Sequence, residues 1–274
     1  MAATSILDVA ALAARIPDGA FLAVPPDYSN VPMALTHALI RRGARNLRLL
    51  GVPTSGIQAD LLIGAGAVQA METAAVSLGE LGPAPRFTQA VVSGRLKTVD
   101  TTCPAIHAAL QAAEKGLPFI PLRGLLGSDL LRHRADWKVI DNPFADGPDP
   151  IVLLPAIRPD FAVFHARWAD RQGNVWVGRR RELMTMAHAA RKTLVTVEAI
   201  FDGDLLAEDE LAAGTIAGLY VDAIALAPRG AWPMGLADHY PADTAHLADY
   251  ARKARTDDGF RAYLAEQNLA PVHA

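Results

Sequence analysis

The sequence predicts an α/β fold: an open, mostly parallel sheet covered by helices on both faces. Apolar runs of strand length alternate with segments of helical spacing along nearly the whole chain. Hydrophobic residues make up 51% of the chain but aromatics only 6%. The core is therefore built from Ala, Leu, Val and Ile, the usual filling between helices and parallel strands. No Gly/Ser-rich linker, internal repeat or low-complexity tract interrupts the pattern, which predicts one domain over residues 1–274.

Residues 5–15 place Ile6, Leu7, Val9, Leu12 and Ala13 at helical spacing, and Pro17-Asp18-Gly19 closes that helix. A strand over 21–24 is broken by Pro25-Pro26-Asp27, and a helix over 32–42 starts at Pro32 and stops at Gly43. Residues 47–52 and 74–77 read as buried strands, and 86–92 and 104–115 as helices. The second half continues with strands at 151–154, 161–164, 193–197 and 221–227 and a helix over 182–191. Residues 243–264 are helical with mixed charge, a solvated surface.

A net charge of −3 supplies no basic surface for neutralising phosphates, which argues against nucleic acid. The single cysteine, Cys103, excludes an internal disulfide, and no Cys/His cluster has zinc spacing. A reducing cytoplasm is expected. Residues 1–16 carry Asp8 and Arg15 inside their apolar pattern, unlike a signal peptide, and no apolar run reaches the roughly 18 residues of a membrane span.

In α/β sheets, ligands sit beyond the carboxyl ends of the strands, so the loops there are the candidates. Pro25-Pro26-Asp27-Tyr28-Ser29-Asn30 leads into a helix whose free N–H groups suit an anion; as a plain turn it is a rigid cap. Gly64-Ala65-Gly66 lacks the third glycine of a dinucleotide fingerprint and reads as a packing turn. Ser77-Leu78-Gly79-Glu80 puts a hydroxyl and a carboxylate beside a strand end, the best local candidate, although loop glutamates commonly face solvent. Cys103 opens a helix with His107 one turn later, a spacing more often accidental than a catalytic dyad. Asp170 is expected to stabilise the turn at Gly173-Asn174. The basic clusters Arg132-His133-Arg134 and Arg179-Arg180-Arg181 are candidates for cofactor phosphates or simply solvated faces. There is no GxSxG elbow, P-loop or HExxH site.

Read together, several ordered stretches resemble the A (alpha) subunits of class I CoA-transferases of the glutaconate CoA-transferase type. They are Asp60-Leu61-Leu62-Ile63-Gly64-Ala65-Gly66, Ser77-Leu78-Gly79, Gly116-Leu117-Pro118 through Gly124 with Gly127-Ser128-Asp129, and Pro155-Ala156-Ile157-Arg158-Pro159-Asp160. His165-Ala166, Ala169-Asp170, Gly173-Asn174, Thr196-Val197-Glu198 and Ala227-Pro228-Arg229-Gly230 follow in order. The resemblance implies a heteromer in which a partner B subunit supplies a nucleophilic glutamate at the interface. It further implies an acyl-CoA thioester and a carboxylate as substrates and no permanently bound cofactor.

On this resemblance Ser77, Gly79 and Glu80 are expected to line the site, and Tyr28, Ser29, Asn30, Arg132 and Arg134 to bind substrate or CoA. Family members commonly carry a Gly-Gly turn where this chain has Val24-Pro25-Pro26-Asp27, which implies a remodelled acyl pocket, and often His where it has Trp232. Two other readings remain: a CoA-thioester hydrolase or ring-opening member of the same family, and a non-catalytic CoA-metabolite-binding protein. The first carries acidic residues where this chain has Thr101-Thr102-Cys103. The second needs a polar docking face, which the apolar composition disfavours.

Overall fold

The computed structural model describes residues 5–269; Met1–Thr4, which begin the N-terminal segment, and the last five residues of the expected domain lie outside the described residues. The chain opens with β1 (Ser5–Leu7), α1 (Val9–Ala14), β2 (Phe21–Val24), α2 (Met33–Arg41), β3 (Leu47–Gly51) and α3 (Ile57–Gly64). It continues through β4 (Val68–Thr73), α4 (Pro85–Val92), β5 (Lys97–Asp100) and α5 (Cys103–Glu114). Next come β6 (Phe119–Leu122), α6 (Leu130–His133), β7 (Lys138–Asp141) and β8 (Pro150–Pro155). The remainder is β9 (Phe161–Ala169), β10 (Val175–Trp176), α7 (Arg181–Ala189), β11 (Lys192–Ile200), α8 (Asp209–Ala212), β12 (Thr215–Ile216), β13 (Ala223–Leu226), α9 (Thr244–Lys253) and α10 (Asp257–Glu266).

The main sheet runs β1-β13-β11-β9-β2-β3-β4-β5, and every pairing along that path is parallel. A small antiparallel attachment, β10 with β12, hangs from β9. Because side chains alternate along a strand, each strand feeds two cores. Leu22, Val24, Leu47, Leu49, Val163 and Leu194 face α1 to α4, α9 and α10. Ala23, Leu50, Phe164 and Val195 face α5 and α7 on the other side. The sheet is thus covered on both faces, as the alternating pattern predicts.

Four local expectations are corrected. Residues 5–7 pair with Ala223–Ala225 as an edge strand, and the helix starts only at Val9, where the Asp8 carboxylate accepts the Ala11 N–H at 2.6 Å. The apolar run before Gly64 is helix α3, not a strand, and Gly64 is small because the Phe260 ring packs where a Cβ would stand, 2.5 Å away. Strand β4 ends at Thr73, so residues 74–77 lie beyond it; β3 has already ended at Gly51, and their backbone bonds the 53–55 loop instead. Residues 119–155 form a separate three-stranded antiparallel sheet, β6-β8-β7, packed on α5 through Trp137, Val152 and Leu154. All four residues of β7 are exposed, so no alternation marks it in the sequence.

Tyr250, fully buried on α9, donates its hydroxyl to Asp60 Oδ2 at 2.6 Å, while Oδ1 accepts the Phe87 N–H at 2.7 Å. Burial pushes the Asp60 carboxyl up to about 6 even though both bonds pull it down. Replacing Tyr250 with Phe removes one partner of a buried carboxyl and is expected to lower stability by about 1–3 kcal/mol. The readout is a lower denaturant midpoint at constant m-value; an unchanged midpoint would remove this bond from the account.

Candidate active site

Strand order reverses between β9 and β2, and ligands in such sheets occupy the crevice at the carboxyl ends near the reversal. There the loops after β2, β3 and β4 meet the segment after β13 around a cleft of about 410 Å³. Ile57, Leu78, Leu81, Met234 and Leu247 make its apolar wall, and Thr54, Ser55, Ser77 and Tyr28 bring hydroxyls. Among the described residues no Arg, Lys or His lines it, and Asp27 is its one carboxyl. Beyond Asp27 and Tyr28 it widens into an opening of about 610 Å³ lined by Arg180, Met234, His239 and Tyr240.

Asp27 is positioned by the two prolines that end β2. Its Oδ2 accepts the Ile57 N–H at 3.1 Å and so caps α3 from a neighbouring loop, because the cap residue itself is Gly56. A Cβ at position 56 would collide with that Oδ2. Asp27 Oδ1 and Ser55 Oγ are buried without a partner. Burial pushes the Asp27 carboxyl up to about 6; the Ile57 bond pulls it down and the nearby Asp60 charge adds to the rise. Gly56→Ala is expected to displace this carboxyl and lower stability by about 1–3 kcal/mol, read by thermal unfolding. An unchanged Tm would show that the loop yields freely.

Ser77 and Gly79 line the cleft, but Glu80 is exposed and lies outside it, on a short 3₁₀ turn whose backbone turns it to solvent. Ser77 Oγ accepts the Gly79 N–H at 3.1 Å, Leu78 N–H bonds Gly82 O and Ser77 N–H bonds Ser55 O. All three amides of 77–79 are taken within the loops, so the segment offers a wall and a hydroxyl rather than free N–H donors.

Tyr28 is 61% exposed, lines the cleft and lies under the Arg180 guanidinium at 5.6 Å. Ser29 and Asn30 are buried instead: Ser29 Oγ donates to Glu182, and Asn30, at φ 58°, accepts the His165 N–H on its carbonyl at 2.7 Å. They tie the β2 loop to α7 and β9. Arg132 and Arg134 lie away from the cleft. Arg132 is exposed and paired with Asp129 at 3.1 Å. Arg134 is buried between the two sheets, with Glu72 at 2.9 Å, Asp136 at 2.8 Å and the Trp137 ring at 4.3 Å. Cys103 is an exposed free thiol with no hydrogen bond to His107. Asp170 binds the Gln172, Asn174 and Leu205 amides and so holds its turn.

A second polar group went unmarked by loop reasoning. Glu198, on β11, accepts from His165 Nε2 at 2.8 Å, from the Tyr240 hydroxyl at 2.7 Å and from the Arg229 N–H at 2.6 Å. Burial raises its carboxyl, but these bonds outweigh burial and hold it at about 2. Burial lowers the His165 imidazole more than Glu198 raises it; Nε2 donates to Glu198, and Thr196 Oγ1 lies 2.9 Å from Nδ1. The group anchors residues 229–240, which carry Met234 into the cleft. The signal available in the sequence was the pair of polar residues, His165 and Glu198, inside otherwise apolar strands. Trp232 in this segment donates to Asp243 Oδ2 at 3.2 Å and packs on His246.

Among the described residues no group of His, Cys, Asp and Glu suits a metal ion, and no helix is long and apolar enough to cross a membrane. The family model for coenzyme A transferase matches residues 6–227. A protein of Archaeoglobus fulgidus is 33% identical over 241 residues, and the chain spans about half of that relative's length, 53%, while 86% of this chain is matched. The A subunit of glutaconate CoA-transferase from Acidaminococcus fermentans is 32% identical over 253 residues, covering 86% of this chain and 78% of that one. The crystal structure of that transferase superposes with a TM-score of 0.87 at 28% identity, over 96% of this chain and 88% of that one. A crystal structure of a variant of the decarboxylase AibA/AibB aligns at 32% identity and a TM-score of 0.83 over 97% of this chain and 100% of its own.

Proposed function

Because this chain belongs to the coenzyme A transferase family, we propose that it is the A subunit of a heteromeric acyl-CoA:carboxylate CoA-transferase. A partner B subunit supplies the nucleophilic glutamate. One observation carries this reading: among the described residues the cleft is lined by hydroxyls with no His, Lys or Arg to activate them, and its one carboxyl, Asp27, is capped onto Ile57 with its other oxygen buried. A nucleophile activated in place is missing, so the reacting carboxylate comes from outside the chain.

The chemistry then runs in balanced steps. The partner's glutamate attacks the thioester carbonyl, giving an acyl-glutamyl anhydride and free CoA thiolate. The thiolate attacks the glutamyl carbonyl, giving a glutamyl-CoA thioester and releasing the first carboxylate. The acceptor carboxylate reverses both steps. An apolar cleft keeps water from the anhydride and the thioester, so their energy passes to the acceptor. Ser77, Gly79 and Tyr28 form part of that wall. The thioester is a substrate, and the setting we infer is the reducing cytoplasm, which keeps the exposed Cys103 thiol free.

Tagged chain purified from its native cells tests this reading. A second polypeptide should be retained, and acyl-CoA should add the mass of CoA less one water to that partner only. Recovery of this chain by itself, turning over acyl-CoA unaided, would overturn the proposal.

A further inference from the structure

Resting on the transferase reading, we propose that the acyl group held by the cleft is uncharged and apolar, and that Asp27 is the specificity residue excluding acyl groups that end in a carboxylate. A second carboxylate drawn into an apolar cavity is best compensated by a cation. Among the described residues no basic side chain lines this cleft, and the amides of Ser77, Leu78 and Gly79 are all taken by the loops themselves, so the donors this chain offers there are the uncharged hydroxyls of Tyr28, Thr54, Ser55 and Ser77.

Asp27 turns that lack into repulsion. Its carboxyl is held in the wall by the Ile57 N–H and fits only because position 56 is glycine. Like charges at short range in a poorly screened cavity oppose each other strongly, and one of them must take up a proton for both to remain. A neutral chain meets no such opposition. The buried, unpartnered Ser55 hydroxyl at the same wall suits a neutral keto or hydroxyl oxygen on it.

Arg180 lines the outer opening on the far side of the Asp27 and Tyr28 rim, not the cleft. It therefore stands as the competing explanation. If an acyl carboxylate were received by this chain, Arg180 is where it would go.

Hexanoyl-CoA and adipoyl-CoA share a six-carbon acyl chain and differ in the terminal carboxylate. Both are given to the complex purified through this chain, and binding is measured alongside turnover. Hexanoyl-CoA should bind tighter and be used with a kcat/KM higher on the order of 100-fold. Asp27→Asn should narrow that ratio by about tenfold. Equal use of the two thioesters, or adipoyl-CoA preferred with that preference abolished by Arg180→Gln, overturns the inference while leaving the transferase reading intact. Tighter hexanoyl-CoA binding with no CoA transfer from either thioester sinks the transferase reading and leaves the acyl preference standing.

Discussion

Replacing Glu198 with Ala is expected to lower stability by about 3–5 kcal/mol, the largest loss we anticipate for any single change in this chain. The side chain is 7% exposed and receives three hydrogen bonds, from His165, Tyr240 and the Arg229 amide. Truncation strands all three donors, and the His165 ring, fully buried, has no water to turn to. Gly230 packs so closely on that ring that a Cβ there would come within 2.6 Å of it, so the loop has no slack to refill the space. Glu198→Gln keeps an acceptor oxygen but turns an N–H₂ towards other donors, and should fall between wild type and Ala.

The pH dependence separates this charge from plain packing. The folded carboxyl sits at about 2, below its ordinary 4.5, so the stabilisation from its charge is fully present above pH 4.5 and is lost as pH falls towards 2. The gap between wild type and Glu198→Gln in denaturant unfolding should therefore be widest above pH 4.5 and close towards pH 2. A gap that stays constant across that range would assign the effect to shape alone. Because residues 229–240 carry Met234 to the cleft, turnover should fall with stability in both variants.

What was legible in the sequence follows where each signal comes from. Strands such as 21–24, 47–52 and 193–197 are buried on both faces, so their apolar runs announce them. Helices α4 and α5 carry Pro at their first turn and amphipathic spacing, and both fall within a residue of the expected range. The antiparallel sheet at 119–155 lies against α5 through few residues, and the exposed β7 has no alternation to read. The loop after β2 was recognisable as a candidate, but which of its side chains face the cleft was not. Ser29 and Asn30 turn inward only because Asn30 adopts a left-handed conformation, and Asp27 turns to α3 only because Gly56, far along the chain, leaves it room. The same limit hid Glu198: its partners come from β9 and from the 229–240 segment, and no spacing along the chain brings them together.

The stability of Asp27→Asn relative to the wild type is expected to rise by about 2–3 kcal/mol between pH 4 and neutral pH, the unusual case of a gain from removing a charge in a cleft. The carboxyl is pushed from 3.8 up to about 6 in the folded chain, mainly by burial. A folded-state pKa above the unfolded one means that the fold favours the protonated acid. Below pH 3.8 both states are protonated and the charge exacts nothing. As pH rises through 6 the folded state is left holding a buried carboxylate, and roughly two pKa units correspond to about 3 kcal/mol. Asparagine keeps an oxygen for the Ile57 N–H and substitutes an unpartnered N–H₂ for the unpartnered Oδ1, an offset that does not change with pH. Unfolding curves of the two proteins should therefore lie nearly parallel below pH 4 and diverge between pH 4 and 7, with the variant gaining on the wild type. If the curves keep a constant separation instead, Asp27 is not the buried acid that its surroundings make it. If they diverge as expected, the chain carries at its cleft a charge that works against its own stability, and such a group persists where it acts on what the cleft receives.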